Sequence, residues 1–394
     1  MQLERPRFLP DDGHAGTLVA RIWCPGAVPG PSVAALRADG VFDLSTHFST
    51  MSRLLDEADP AASAAAAGVR VCSLDELLSH SVAPAVNSAR DPARAHLLAP
   101  CDLQVLKAAG VTFATSLVER VIEEHAGGDA SRAAAARAQV LAVVGDDLAA
   151  IVPGSPAAMA LKQLLIDQGM WSQYLEVGIG PDAEVFTKAP VLSAVGTGED
   201  IGILAASVWN NPEPEVVLAV SSQGRIVGAT LGNDVNLRDI EGRSALLLSK
   251  AKDNNASCAI GPFIRLFDST FGLDDVRRET VHLHVQGPEG YELRGINSMA
   301  RISRDPLDLV AQTVAAHQYP DGFMLFLGTL FAPIEDRDQP GGGFTHKLGD
   351  EVSIRSARLG ELRNRVTHSE RAAPWRFGIR ALIENLSRRG LLRT

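Results

Sequence analysis

Cysteine is scarce in this chain: Cys24, Cys72, Cys101 and Cys258 are the only four in 394 residues, far apart and without a CxxC pair. That spacing indicates neither a zinc cluster nor a disulfide framework, so the four read as core or indifferent thiols. No apolar run approaches the roughly 18 residues of a membrane span. The opening residues, MQLERPRFLP, put charges and prolines where a signal peptide needs an apolar run. The chain is therefore expected to be cytoplasmic. Positive charge is not in excess either: 37 Lys and Arg stand against 47 Asp and Glu, a formal net charge of -10. This disfavours a general affinity for nucleic acid or an anionic membrane, and leaves room for a local cationic pocket. What is present, 46% hydrophobic and 21% charged residues, suits an ordinary globular protein with length for more than one domain.

Residues 1 to about 90 read as a small β-rich N-terminal domain, with GTLVARIWC and PSVAALRADGVFDL as strands and ADG as a hairpin signal. The Ala-rich ADPAASAAAAG that follows reads as helix or loop. The remainder, 91–394, is expected to be the catalytic domain. Its first part, about 115 to 170, carries helical periodicity, and Ser155 followed by Pro156 makes a good helix start. From about residue 183, short β-branched runs alternate with Gly, Asn, Asp and Pro, which suggests an antiparallel, barrel-like β fold.

Within that region the stretch NNPEPEVVLAVSSQGRIVGATLGNDVNLRDIEGR, Asn210 to Arg243, places two glutamates at the start of an apolar strand. Alternate side chains of a strand share a face, so Glu213 and Glu215 point the same way, about 7 Å apart. SSQGR is a turn and IVGATL the returning strand. A turn centred near Gln223 sets Glu213 opposite Asn233 and beside Asp234. Three carboxylates held that close repel unless a cation neutralises them, and an all-oxygen cluster suits Mg²⁺, Mn²⁺ or Ca²⁺. By itself the ExE pair reads far more readily as a solvated turn than as a ligand pair, because acids are mostly exposed.

The series EPEVVLAV, GNDVNLRDIEG, KDNNASCAIGPFI, FLGT and HKLGDEVSI resembles, in order and spacing, the fumarylacetoacetate hydrolase family, over about Val185 to Val366. WSQYLEVGIGPDAEVFTKAP, SVWNNPEPE and LLLSKAKDNNAS look most like its sugar-acid branch, the 2-keto-3-deoxy-pentonate dehydratases. The resemblance implies an α+β fold with a mixed β-roll or barrel core, a divalent ion held by Glu213, Glu215 and Asp234, and a 2-oxo sugar acid chelated to that ion. It further implies Lys188 of FTKAP as a pocket lysine, Lys252 as a second one with Lys250 as competitor, Arg238 as the family's ARD arginine, and Gly328 and Thr329 as a carboxylate-binding segment. His317 of HQYPDG has only a minor claim to a role. The family implies at least a dimer, so a homodimer or homotetramer is expected.

The departure from the pattern is informative. Many members carry NYxxHxxE, whose His and Glu activate water for carbon–carbon cleavage; here the stretch is TFATSLVE, with Glu119 retained and Ser116 where the histidine would stand. A hydroxyl cannot replace imidazole as a proton acceptor near neutral pH. The resemblance therefore implies a Mg²⁺-dependent dehydratase giving 2-oxoglutarate semialdehyde, with Glu119 and Lys188 as base and acid in either assignment and Ser116 as a substrate contact. An acylpyruvate-type hydrolase or oxo-acid decarboxylase on the same scaffold is the alternative, and a non-catalytic binding protein a further one.

Overall fold

The computed structural model describes residues 1–82, 90–144, 151–167, 171–331, 333, 335–340 and 343–392. In the first half of the chain the strands are β1 (Leu18–Cys24), β2 (Gly30–Arg37), β3 (Gly40–Asp43), β4 (Val69–Cys72), β5 (His96–Leu98), β6 (Val105–Gly110) and β7 (Glu184–Ala189). Then come β8 (Asp200–Ile203), β9 (Pro214–Val220), β10 (Ile226–Asp234), β11 (Cys258–Leu266) and β12 (Thr280–Gln286). The last are β13 (Glu292–Ser298), β14 (Phe323–Phe326), β15 (Glu351–Ser356) and β16 (Gly360–His368). They form an 11-stranded sheet, β4-β3-β2-β1-β11-β10-β9-β14-β6-β7 with β5 on β1, and a 5-stranded sheet, β13-β12-β15-β16-β8. The α+β class and the mixed pairing are as expected. The barrel is not: among the described residues neither sheet closes on itself, and β4 and β7 are left as edges of the large one.

The sequence pattern explains the layering. β9, PEVVLAV, is buried along its whole length, as a near-continuous apolar run requires when both faces of a sheet are covered. Val216, Leu218 and Val220 pack with Val281, Leu283 and Val285 of β12, so one core lies between the sheets. Val217 and Ala219, on the opposite face, pack with Met51, Leu54 and Leu55. β12 alternates buried and more exposed positions, as a strand with one solvated face should.

The expected hairpin at ADG is the β2–β3 connection, where Arg37 pairs with Gly40, and the Ala-rich segment contains the helix Pro60–Ala66 capped by Asp59. The N-terminal strands are continuous with the rest, because β1 pairs with β11, Leu18 opposite Arg265. The expected boundary at residue 90 follows residues 83–89, which lie outside the described set, and separable folding units at 1–90 and 91–394 remain a proposal. In the helical section the structure describes Ala114–Ala126, Ala133–Val144 and Pro156–Asp167. The Ser155 hydroxyl accepts from the Ala158 N–H at 3.2 Å, which caps the last of these as the Ser-Pro pair predicts. No described helix is long and apolar enough to cross a membrane.

Candidate metal centre and its cavity

The β9–β10 hairpin builds the centre, with a register one residue away from the simple count. A bulge between Ile226 and Gly228 sets Asn233 opposite Pro214 rather than Glu213. The Asn233 side chain recovers the link, accepting from the Glu213 N–H at 3.0 Å, and the Asp234 N–H donates to the Glu213 carbonyl at 3.1 Å. Carboxylate oxygens of Glu213, Glu215 and Asp234 consequently lie within 4.8 Å of one another, all three side chains buried.

Such a cluster cannot stay anionic unaided. Burial, then the charges of Asp234 and Glu213, push Glu215 well above the usual carboxylate range, although the Gly328 N–H donates to it at 2.6 Å. Burial acts the same way on Asp234, but Lys188 at 2.9 Å and Lys252 at 3.1 Å outweigh it and hold that carboxyl below its ordinary value. Lys252 also reaches Glu213 at 2.6 Å. Three convergent carboxylates, one of which cannot hold its charge among the others, fit a hard divalent ion with oxygen ligands.

Facing the triad is the helix Ala114–Ala126, stopped by Gly127 in the left-handed conformation at φ 64. Arg120 from this helix bonds Glu213 and Glu123 and lies 3.2 Å from Glu241. Arg238 donates to Glu123 at 2.7 Å, lies 3.7 Å from Glu119, and stacks on the Trp209 ring at 4.2 Å. Arg137 grips both oxygens of Glu119. The cavity has about 30 Å³ of free volume, room for one or two waters and not for a sugar acid.

Of the ten residues given a site role from sequence, apart from the lesser candidates Lys250 and His317, nine line this cavity: Ser116, Glu119, Glu213, Glu215, Asp234, Arg238, Lys252, Gly328 and Thr329. Lys188 is the tenth, and it lies beneath the triad instead, fully buried, with its ammonium directed at Asp234 and at the carbonyl of Lys252. The Ser116 hydroxyl donates to the Phe113 carbonyl at 2.9 Å. The Thr329 hydroxyl accepts from the Phe331 N–H at 3.1 Å, and Gly328 adopts φ 86, a conformation that favours glycine. His317 is exposed and stacks on Tyr319 away from the cavity.

Several contributors escaped sequence reasoning. Arg120, Glu123, Glu241 and Asn211 line the cavity, and so does Glu184. Burial first, then the charge of Glu241, raises the Glu184 carboxyl from 4.5 to about 7. Glu184 lies where β7 pairs with β6, opposite Gly110, and a Cβ on that glycine would stand 2.0 Å from the Glu184 carboxylate oxygen. A signal existed: Glu184, Phe186 and Lys188 alternate along one strand and therefore share a face.

Comparison with known proteins adds the following. Residues 181–367 match the fumarylacetoacetate (FAA) hydrolase C-terminal family. A Haloferax volcanii protein named "Probable 2-keto-3-deoxyxylonate dehydratase" is 30% identical over 201 residues, covering 51% of this chain and 66% of that protein. A Saccharolobus solfataricus protein named 2-dehydro-3-deoxy-D-arabinonate dehydratase is 31% identical over 157 residues, 39% of this chain and 51% of that one. The matches thus span from about half to just under two thirds of these relatives. A solved structure titled 2-keto-3-deoxy-D-arabinonate dehydratase complexed with magnesium and 2,5-dioxopentanoate shares the fold, with a TM-score of 0.59 at 20% identity over 89% of this chain and 99% of that one.

Proposed function

We propose that the protein, whose residues 181–367 match the fumarylacetoacetate (FAA) hydrolase C-terminal family, is a metal-dependent dehydratase converting a 2-keto-3-deoxy-pentonate to 2,5-dioxopentanoate in pentose breakdown. One observation carries the reading: three buried carboxylates fit for a divalent ion share their cavity with a further carboxyl, Glu184, whose pKa burial raises. The two curated relatives are named as dehydratases of this substrate class.

Glu213, Glu215 and Asp234 would hold the divalent ion, Mg²⁺ in first place. When bound, it would supply Lewis-acid polarisation of the substrate's carboxylate and 2-oxo group, which would make the C3 hydrogens acidic. Acid and base are then read from two carboxyls whose surroundings differ. Glu119, held against Arg137 and Arg238, is the carboxylate that takes the C3 proton. Glu184 gives its proton to the C4 hydroxyl, which leaves as water when the C4–O bond breaks. Transfer of a proton from C5 to C3 turns the resulting unsaturated hydroxy acid into the enol of 2,5-dioxopentanoate, and no water is consumed. Lys188, expected as acid or base, instead fixes Asp234 in this reading, and Lys252 does the same for Glu213 and Asp234. Ser116 has its proton committed to a backbone carbonyl, which leaves no relay for hydrolytic water. The test is to incubate the protein with Mg²⁺ and each 2-keto-3-deoxy-pentonate and weigh the product. Loss of one water is expected, and faster cleavage of acylpyruvates would overturn the assignment.

Admission of substrate demands movement, since the cavity as folded is too small. Helix 114–126 is the element proposed to yield, because the face it turns to the triad is held by charged contacts, Arg120 to Glu213 and Glu119 and Glu123 to Arg238, while its apolar residues Leu117, Val121 and Ile122 pack on neighbouring helices. Its amides are expected to exchange faster than those of β9 and β10, and to slow when Mg²⁺ and pyruvate are added together. Unchanged exchange in that helix would mean a fixed wall.

A further inference from the structure

We infer that Asn211 is the residue that selects a 2-oxo acid by its terminal hydroxyl. The inference rests on the proposed function and deepens it. Asn211 is 2% exposed and lines the cavity. Its Nδ2 donates to the Pro212 carbonyl at 3.0 Å, which fixes the side-chain amide, while its Oδ1 is buried without a hydrogen-bond partner among the described residues. A buried acceptor left unpaired is costly, and in folded proteins it marks a place where a donor belongs.

Its position in the ladder says which donor. Asn211 precedes Glu213 by two residues and Asn236 follows Asp234 by two, and their backbones exchange hydrogen bonds of 3.0 and 3.1 Å. The pair forms the rung next to the triad, about 7 Å along the strand. A substrate anchored at the triad through its carboxylate and 2-oxo oxygens extends three more carbons and a hydroxyl, at about 1.5 Å per bond. A substrate chain laid along the strand would thus bring the C5 hydroxyl to the Asn211 rung. Because the amide oxygen only accepts, it pairs with a hydroxyl and rejects a terminal carboxylate, which offers no proton. After reaction C5 is an aldehyde with no donor, so the contact is lost in the product and release is favoured.

The test uses two ligands that lack the C4 hydroxyl and cannot be dehydrated: 5-hydroxy-2-oxopentanoate and 2-oxopentanoate, titrated calorimetrically into the full chain with Mg²⁺. The wild type should bind the hydroxylated acid about tenfold more tightly, the worth of one buried hydrogen bond. Asn211→Val should abolish that preference, and Asn211→Asp, which keeps an acceptor, should retain it. Equal binding of both acids by the wild type, a preference that survives in Asn211→Val, or its loss in both variants would each overturn the inference alone. The wild-type comparison decides even where a variant does not fold. Binding of neither acid would overturn the proposed function, and this inference with it.

Discussion

Replacing Glu184 by glutamine is expected to lower dehydration by about 10² or more, the usual contribution of a placed proton donor, while binding of pyruvate with Mg²⁺ stays close to wild type. The wild-type rate should show an alkaline limb, because the protonated form of Glu184, whose pKa burial raises, is the one that assists the leaving hydroxyl. In Glu184→Gln that limb should vanish, since the amide does not titrate. A stability signature accompanies it. The folded-state pKa is raised above 4.5, so the contribution of Glu184 is fully present below that value and is lost as pH climbs to about 7. Urea midpoints measured across this window should decline less in the variant. Should the glutamine variant keep both the rate and the alkaline limb, proton donation by Glu184 is wrong.

Asp234→Asn is the second large effect. Asparagine preserves size, but it removes the charge that Lys188 and Lys252 face at 2.9 and 3.1 Å and one of three ligands in the triad. Outer-shell changes cost 10–100-fold in metal affinity, and loss of a ligand should exceed about 10²-fold. Mn²⁺ titration followed by its electron paramagnetic signal reports this directly, without reference to turnover. Turnover with Mg²⁺ should disappear in parallel, and chelation of the wild type should reproduce the loss and be reversed by added metal. Wild-type Mn²⁺ affinity in Asp234→Asn would remove the triad from the metal site. The substitution also leaves the buried Lys188 ammonium without its carboxylate partner, whereas Lys252 keeps Glu213, so a lowered melting temperature is expected alongside.

Much of this centre was legible in the linear order because its geometry is local. Glu213 and Glu215 share a face through the two-residue period of a strand, and Asp234 returns beside them through a hairpin whose turn is marked by SSQGR. The strand alternation that reveals them depends on covalent backbone geometry. The bulge after Ile226 was not legible, because two residues opposing one leaves no mark in the apolar pattern, yet the Asn233 side chain absorbed the shift and the triad survived it.

What only the tertiary structure decided is everything that depends on distant segments meeting. Glu184 becomes an acid near neutrality because β7 pairs with β6 and carries it into a pocket of other carboxylates, and burial rather than spacing sets its pKa. Arg120 reaches Glu213 across 93 positions once its helix docks, and Lys188 was legible as a pocket residue but not as one beneath the triad. The same holds for the open edges of the large sheet, since sheet closure depends on how strands tilt and register over the whole molecule. Local chain geometry wrote the carboxylate triad into the sequence, whereas desolvation and long-range charge contacts, which exist only after folding, shifted the acidity of the groups around it.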